Sequence, residues 1–65
     1  ANGIVIKSGP ATESTIMNNL HFQNLFRGIW LQKDTQENVV GPVMHFTACN
    51  NPIVNEGNNN KVLYQ

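Results

Sequence analysis

The sequence repeats with a period of 24 residues, and this repeat constrains the fold more than any other feature. His21-Phe22 recurs 24 positions later as His45-Phe46, and residues 14–31 align with residues 38–55 without a gap. Residues 2–6 align with residues 27–31, and residues 61–64 begin a further unit. A fixed period of about 20–50 residues is typical of a solenoid, in which each unit buries its apolar face against the next.

Hydrophobicity within the repeated unit mostly alternates from one residue to the next, as expected for half-buried strands. Pro42, Pro52, Gly28 and several asparagine pairs interrupt the pattern too often for helices of about ten residues or more. We therefore predict an all-β fold, a parallel β-helix solenoid fragment of about two and a half coils of roughly 24 residues. The single segment 1–65 divides into coil remnants 1–13, 14–37 and 38–60 and the start of a next coil at 61–65.

Strands one unit apart are predicted to pair in parallel, roughly 4.8 Å apart, because the rest of each unit serves as the crossover between them. Phe22 then lies over Phe46, and Trp30 faces outward between Val5 and Val54. The residues predicted to face inward are Ile4, Ile6, Ile16, Leu20, Phe22, Ile29, Leu31, Val40, Met44, Phe46 and Ile53.

Composition argues against several classes of function. The formal net charge is zero and charged residues make up 12% of the chain, so nothing favours a nucleic acid or an anionic membrane as partner. No apolar run reaches the ~18 residues of a membrane span. Eleven asparagines indicate many corners, because asparagine tolerates left-handed backbone. Cys49 is the only cysteine, so no internal disulfide forms.

Three sequence stretches point to a known group of folds. Gly3-Ile4-Val5-Ile6, Gly28-Ile29-Trp30-Leu31 and Ile16-Met17-Asn18-Asn19-Leu20-His21-Phe22 carry this pattern. They resemble coils of the right-handed parallel β-helix of the pectate-lyase-like group, most of all those of a bacteriophage tailspike or polysaccharide depolymerase. The resemblance implies a polysaccharide partner, an extracellular or virion-surface location, and a homotrimer or further coils of a longer parent chain. It is specific for the fold and weak for chemistry, because the pattern encodes stacking.

Glu13 and Glu37 are again 24 positions apart, at the same corner of consecutive units. Carboxylates stacked roughly 5 Å apart match the spacing of a retaining glycosidase pair. Asp34 is the other acid near this corner. The same three residues also fit an ordinary polar corner, where solvent screens like charges. A catalytic role for Glu13, Glu37 and Asp34 is therefore one hypothesis, and an ordinary solvated corner is the simpler one.

The outward side chains supply a second set of candidates. His21 and His45 are predicted to form a surface ladder, but no third ligand except Gln23 or Thr47 shares their face, so no metal site is predicted. An outward Trp30 can stack on a sugar ring, with the histidines, Gln23 and Thr47 donating and accepting hydrogen bonds nearby. The same apolar row also fits packing against another subunit, and a simple inward-facing Trp30 is the third alternative.

Three functions follow from these patterns. The favoured one is carbohydrate recognition in a surface polysaccharide-binding protein of the tailspike kind. An enzyme, either a polysaccharide lyase or a glycoside hydrolase, is the second, and a purely structural trimer-forming spacer is the third. No cofactor is predicted, because the sequence contains no nucleotide-binding glycine pattern and no metal-ligand spacing. Unpaired parallel edges at both ends lead us to expect that the chain does not stand alone as a monomer.

Overall fold

The computed structural model describes residues 1–8 and 15–64, and this part of the chain is all-β and contains no helix. Its strands are β1 (Asn2–Ile6), β2 (Ile16–Met17), β3 (Leu20–Gln23), β4 (Arg27–Leu31), β5 (Val39–Val40), β6 (Met44–Thr47), β7 (Asn51–Asn55) and β8 (Lys61–Val62). The predicted all-β class is confirmed. Within the same residues, no helix is long and apolar enough to cross a membrane.

The described strands form parallel sheets that the chain visits in rotation. One sheet has the order β1-β4-β7, another β2-β5-β8, and the last pairs β3 with β6. Every neighbouring pair is parallel. Consecutive strands therefore lie in different sheets, and each of β1 to β5 pairs with the strand three places later in the chain. The predicted parallel pairing of repeated segments is confirmed.

The core is centred on β4, the middle strand of its sheet. Ile29 and Leu31 have no exposed surface, and Ile29 pairs with Ile4 on one side and Ile53 on the other. A middle strand is covered by neighbours on both sides, which explains why its inward side chains are buried most completely. Val40, in the middle strand of β2-β5-β8, is also fully buried. The buried apolar residues are Met17, Ile29, Leu31, Val40 and Met44.

The predicted inward position of Ile16 is wrong. Ile16 pairs with Val39, and Met17 pairs with Val40, so the offset between these strands is 23 positions instead of 24. Ile16 is 76% exposed, whereas Met17 is 4% exposed. The turn after β5 holds one residue more than the turn after β2, and β3 and β6 return to an offset of 24. Because side chains alternate along a strand, this one-residue difference exchanges the inward and outward faces of β2.

Several turns place asparagine where the backbone is left-handed. Asn19, Asn24 and Asn59 have φ angles of 56°, 59° and 59°. This conformation is costly for most residues, but asparagine tolerates it. Asp34 and Glu37, in the connection between β4 and β5, share it with φ angles of 69° and 64°. Part of the asparagine content thus serves the corners, as predicted.

A partly buried polar group, here called the asparagine cluster, comprises Thr35, Asn38, Asn55 and Asn60. Thr35 and Asn38 are each 1% exposed. Asn60 Oδ1 accepts hydrogen bonds from the Asn38 backbone N–H at 3.0 Å and from Asn38 Nδ2 at 2.9 Å. Asn60 Nδ2 donates to Thr35 Oγ1 at 3.3 Å and to Asn55 Oδ1 at 3.0 Å. Among the described residues, no buried side-chain nitrogen or oxygen lacks a partner, so this polar interior is satisfied.

Two isoleucines test the observed register directly. Ile29→Ala empties a fully buried site and is expected to lower the free energy of unfolding by about 2–5 kcal/mol. Ile16→Ala is the matched control and should cost about 0.5 kcal/mol or less, because that side chain is mostly exposed. Urea denaturation followed by circular dichroism measures both. Equal losses for the two variants would contradict the register.

The asparagine cluster gives a second stability test. Asn60→Ala leaves the backbone N–H of buried Asn38 without an acceptor and removes one of the two acceptors of its side-chain amide, which is expected to cost about 1–3 kcal/mol. Asn58→Ala is the control, because Asn58 is exposed and its contact with Thr35 is made by the backbone. Its expected effect is within about 0.5 kcal/mol. A harmless Asn60→Ala substitution would mean that water replaces the cluster without cost.

Candidate functional site

Trp30 lies on the outward side of β4, at the centre of the β1-β4-β7 sheet. It pairs with Val5 on β1 and with Val54 on β7, as the repeat predicts. All three side chains are half-buried, whereas neighbouring Ile29 points inward and has no exposed surface. Alternation along a strand accounts for the contrast, because successive side chains point to opposite faces. The sheet therefore presents an aromatic ring flanked by two aliphatic side chains.

Glu56 anchors one end of this ring. The indole N–H of Trp30 donates a hydrogen bond to Glu56 Oε1 at 2.7 Å. Glu56 follows β7 directly, and its backbone N–H donates to the carbonyl oxygen of Leu31 at 2.8 Å, which ties it to β4. A carboxylate acceptor makes a stronger bond than a neutral one. The short bond therefore holds the indole in one orientation.

Arg27 packs against the aromatic surface. Its guanidinium carbon lies 4.2 Å from the ring centroid of Trp30 and 4.8 Å from that of Phe26. One guanidinium nitrogen donates to Asn2 Oδ1 at 3.4 Å, across the β1–β4 pair. Both distances to the rings are within the range of a cation–π interaction. We refer to Phe26, Arg27, Trp30 and Glu56 as the tryptophan cluster.

The tryptophan cluster combines an aromatic plane with one cation and one anion. Phe26 and Glu56 are exposed, and Arg27 and Trp30 are half-buried, so the group is open to solvent. Arg27 carries five N–H donors in a planar fork, and an ionised carboxylate accepts several hydrogen bonds. The arrangement suits reversible binding of a ligand that has both an apolar face and hydroxyl groups.

His21 and His45 pair in register on β3 and β6, as predicted, and both are exposed. Their rings are stacked, with centroids 4.3 Å apart and planes inclined by 13°. Gln23 pairs with Thr47 two residues further along the same strands, and both are exposed. These four residues belong to a different sheet from Trp30. The residues predicted to bind carbohydrate are thus spread over two sheets, and their role in binding stays a prediction.

The predicted acidic pair is described only in part. Glu13 lies outside the described residues, so its distance from Glu37 is not defined. Glu37 is exposed, and its backbone N–H donates to the carbonyl oxygen of Asn59 at 3.3 Å. Asp34 is exposed in the same connection. The catalytic hypothesis for Glu13, Glu37 and Asp34 stays a prediction.

Other chemistry is sparse in residues 1–8 and 15–64. These residues contain no group of three or more histidine, cysteine or acidic side chains that would hold a metal, and they form no pocket. Cys49 is half-buried, and its thiol is 3.6 Å from the carbonyl oxygen of Thr47. The tryptophan cluster and the histidine pair are the two arrangements of chemical interest.

No protein-family model matches the chain, and no curated protein or solved structure matches it significantly. The resemblance to the pectate-lyase-like group therefore stays a prediction from the sequence motifs.

The repeat identified Trp30 but missed Glu56 as its partner. Glu56 lies two positions after Val54, which the repeat places beside Trp30, so period-two alternation already put the carboxylate next to the indole. Arg27 lies three positions before Trp30 on the same strand, and simple alternation would place it on the opposite face. Its contact with the indole depends on how a long side chain bends, which the sequence pattern does not encode.

A double-mutant cycle tests the contact between Arg27 and Trp30. The coupling free energy between Arg27→Gln and Trp30→Leu is expected to be about 0.5–1 kcal/mol, because the guanidinium lies over the ring in a partly solvated setting. Urea denaturation of the unsubstituted chain, the two single variants and the double variant measures this coupling free energy. Lys61→Gln with Trp30→Leu is the control cycle, since exposed Lys61 belongs to another sheet. Additive effects in both cycles would refute the contact.

Proposed function

We propose that the chain is a fragment of a parallel β-helix solenoid, with about two and a half coils of roughly 24 residues. One coil is one passage of the chain through the sheets. The rotation of successive strands among the sheets supports this proposal. Ile4, Ile29 and Ile53 also stack at intervals of 25 and 24 positions, as one inward position repeated in each coil would.

The proposed function is carbohydrate recognition, as part of a surface polysaccharide-binding protein such as a phage tailspike. The observation that carries it is the outward Trp30, with Glu56 bonded to its N–H and Arg27 lying over its ring. Sugar rings have apolar C–H faces that pack on aromatic planes, and their hydroxyl groups pair with charged and polar side chains at the rim. Low overall charge and many asparagines suit contact with neutral sugar hydroxyls.

The wider setting of this proposal comes from the sequence resemblance. A polysaccharide is the proposed ligand, and an extracellular or virion surface is the proposed location. Further coils of a parent chain, or other copies in a trimer, complete the assembly. The outward face of β1-β4-β7 supports an extended polymer as ligand, because its paired strands present Val5, Trp30 and Val54 in one row at the spacing of the strands.

Binding to a panel of capsular and O-antigen polysaccharides tests the function. Trp30→Ala is expected to weaken the best interaction roughly 2- to 12-fold, because aromatic stacking contributes about 0.5–1.5 kcal/mol beyond buried area. Trp30→Phe keeps an aromatic plane, and its affinity should fall between those of the unsubstituted chain and of Trp30→Ala. Affinity electrophoresis measures the dissociation constants without using tryptophan fluorescence, which these variants lack.

Two further variants locate the site. Val43→Ala removes an exposed aliphatic side chain outside the tryptophan cluster and should leave binding unchanged. His45→Ala reports whether the β3–β6 face also contacts the sugar. Circular dichroism verifies that each variant keeps its strands. Unchanged affinity in Trp30→Ala, at normal strand content, would refute carbohydrate recognition at this cluster.

Subunit packing is the second candidate function, and exposed apolar side chains support it. Phe26 is 49% exposed beside the Trp30 row, and Ile16 and Val43 are 76% and 47% exposed elsewhere. Exposed apolar patches often mark interfaces. Sedimentation distinguishes the two candidates, because a packing role predicts that Trp30→Ala lowers the oligomer mass while sugar binding per chain is retained.

A further inference from the structure

His21 and His45 occupy equivalent positions on two paired strands. Each is the Cα partner of the other, and their neighbours Phe22 and Phe46 pair in the same register on the inward side. The phenyl rings stack at 5.3 Å and the imidazole rings at 4.3 Å. The imidazoles are exposed, whereas the phenyl rings pack against the core. Strand pairing therefore holds two solvent-accessible imidazoles side by side.

From this geometry we propose that His21 and His45 together bind a divalent late transition metal, with copper(II) preferred. Neutral imidazole nitrogen is a good ligand for copper, nickel and zinc, and copper(II) binds most tightly among the divalent first-row ions. A structural zinc site needs about four protein ligands. Copper(II) accepts two imidazoles with water in its remaining positions, so the absence of a third acidic, cysteine or histidine ligand among the described residues does not block it.

Metal binding requires only a small movement of the two imidazole rings. Metal–nitrogen bonds are about 2.0–2.1 Å, so two nitrogens on adjacent corners of a square-planar ion lie roughly 3 Å apart. The ring centroids are 4.3 Å apart, and the planes are nearly parallel. The rings must therefore lean together at their outer edges and lose their parallel stacking. Both side chains are exposed, so rotation about their side-chain bonds meets little packing.

The two ligands are 24 positions apart in sequence, so chelation depends on the paired strands. In the paired state, binding of the first imidazole places the second at a high effective concentration near the metal. In an unfolded chain this advantage is largely lost. Metal affinity is thus expected to report the β3–β6 pairing as well as the histidines. This inference needs only that pairing and does not rest on carbohydrate recognition.

The test is a titration of the 65-residue chain, in the assembled form in which circular dichroism shows its strands, with copper(II) chloride near neutral pH, followed by calorimetry and pulsed electron paramagnetic resonance. All samples carry Cys49→Ser, because a free thiol reduces copper(II). We expect one copper per chain with two coordinated imidazoles in the resonance spectrum. His21→Asn and His45→Asn should each weaken binding by about 10-fold or more, and the double variant should lose the site.

Matched controls separate the pair from adventitious copper binding. Lys61→Gln changes an exposed side chain in another sheet and should leave the affinity nearly unchanged. Denaturing urea should weaken binding to the level of the single histidine variants. A spectrum with one imidazole, single variants that bind as tightly as the parent, or equal affinity in urea would each overturn the proposal.

Discussion

In-register parallel pairing between repeated strands is the interaction on which the rest of the structure depends. Backbone hydrogen bonds align equivalent residues, so Phe22 stacks on Phe46 and His21 stacks on His45. The same pairing makes β4 a middle strand, and its inward side chains are consequently the best buried. It also brings Glu56 within hydrogen-bonding distance of Trp30 on the outward side. Core and candidate binding surface are two faces of one hydrogen-bonded ladder.

The turns supply the second constraint, because they absorb differences in length between repeats. Offsets of 25, 23 and 24 positions occur in the first strand pair of each sheet, yet each pair stays in register internally. Polar side chains hold the turns in place, because buried Asn38 is hydrogen-bonded to Asn60 directly before β5 and β8. Within strand β4, Gly28 permits close packing of the phenyl ring of β6, since an added Cβ would lie 2.5 Å from Phe46 Cε1. The turns therefore take up the differences in length, and the buried polar side chains of the described residues keep their hydrogen-bond partners.

The candidate site was predictable in outline only. Repetition and alternation placed Trp30 outward between Val5 and Val54, and they paired the two histidines. Both results depend on period-two alternation and on the 24-residue repeat, which the sequence displays directly. The contact between Arg27 and the Trp30 ring was not predictable, because it depends on the path of a long side chain. Nor did the repeat reveal that the histidines and Trp30 lie in different sheets, which depends on the turn between β3 and β4.

The sequence by itself determined the strand class, the parallel pairing and most of the inward residues. These follow from period-two alternation and from the 24-residue repeat, and both patterns can be read directly from the sequence. Only the tertiary structure decided that Met17 and not Ile16 enters the core. A uniform repeat predicts the same offset between paired residues in every sheet. In the folded chain each strand pair forms its own hydrogen bonds, and turns of different length accommodate the resulting differences in offset. The pairing register of each short strand, and so which of its side chains point inward, was therefore decided by the tertiary structure.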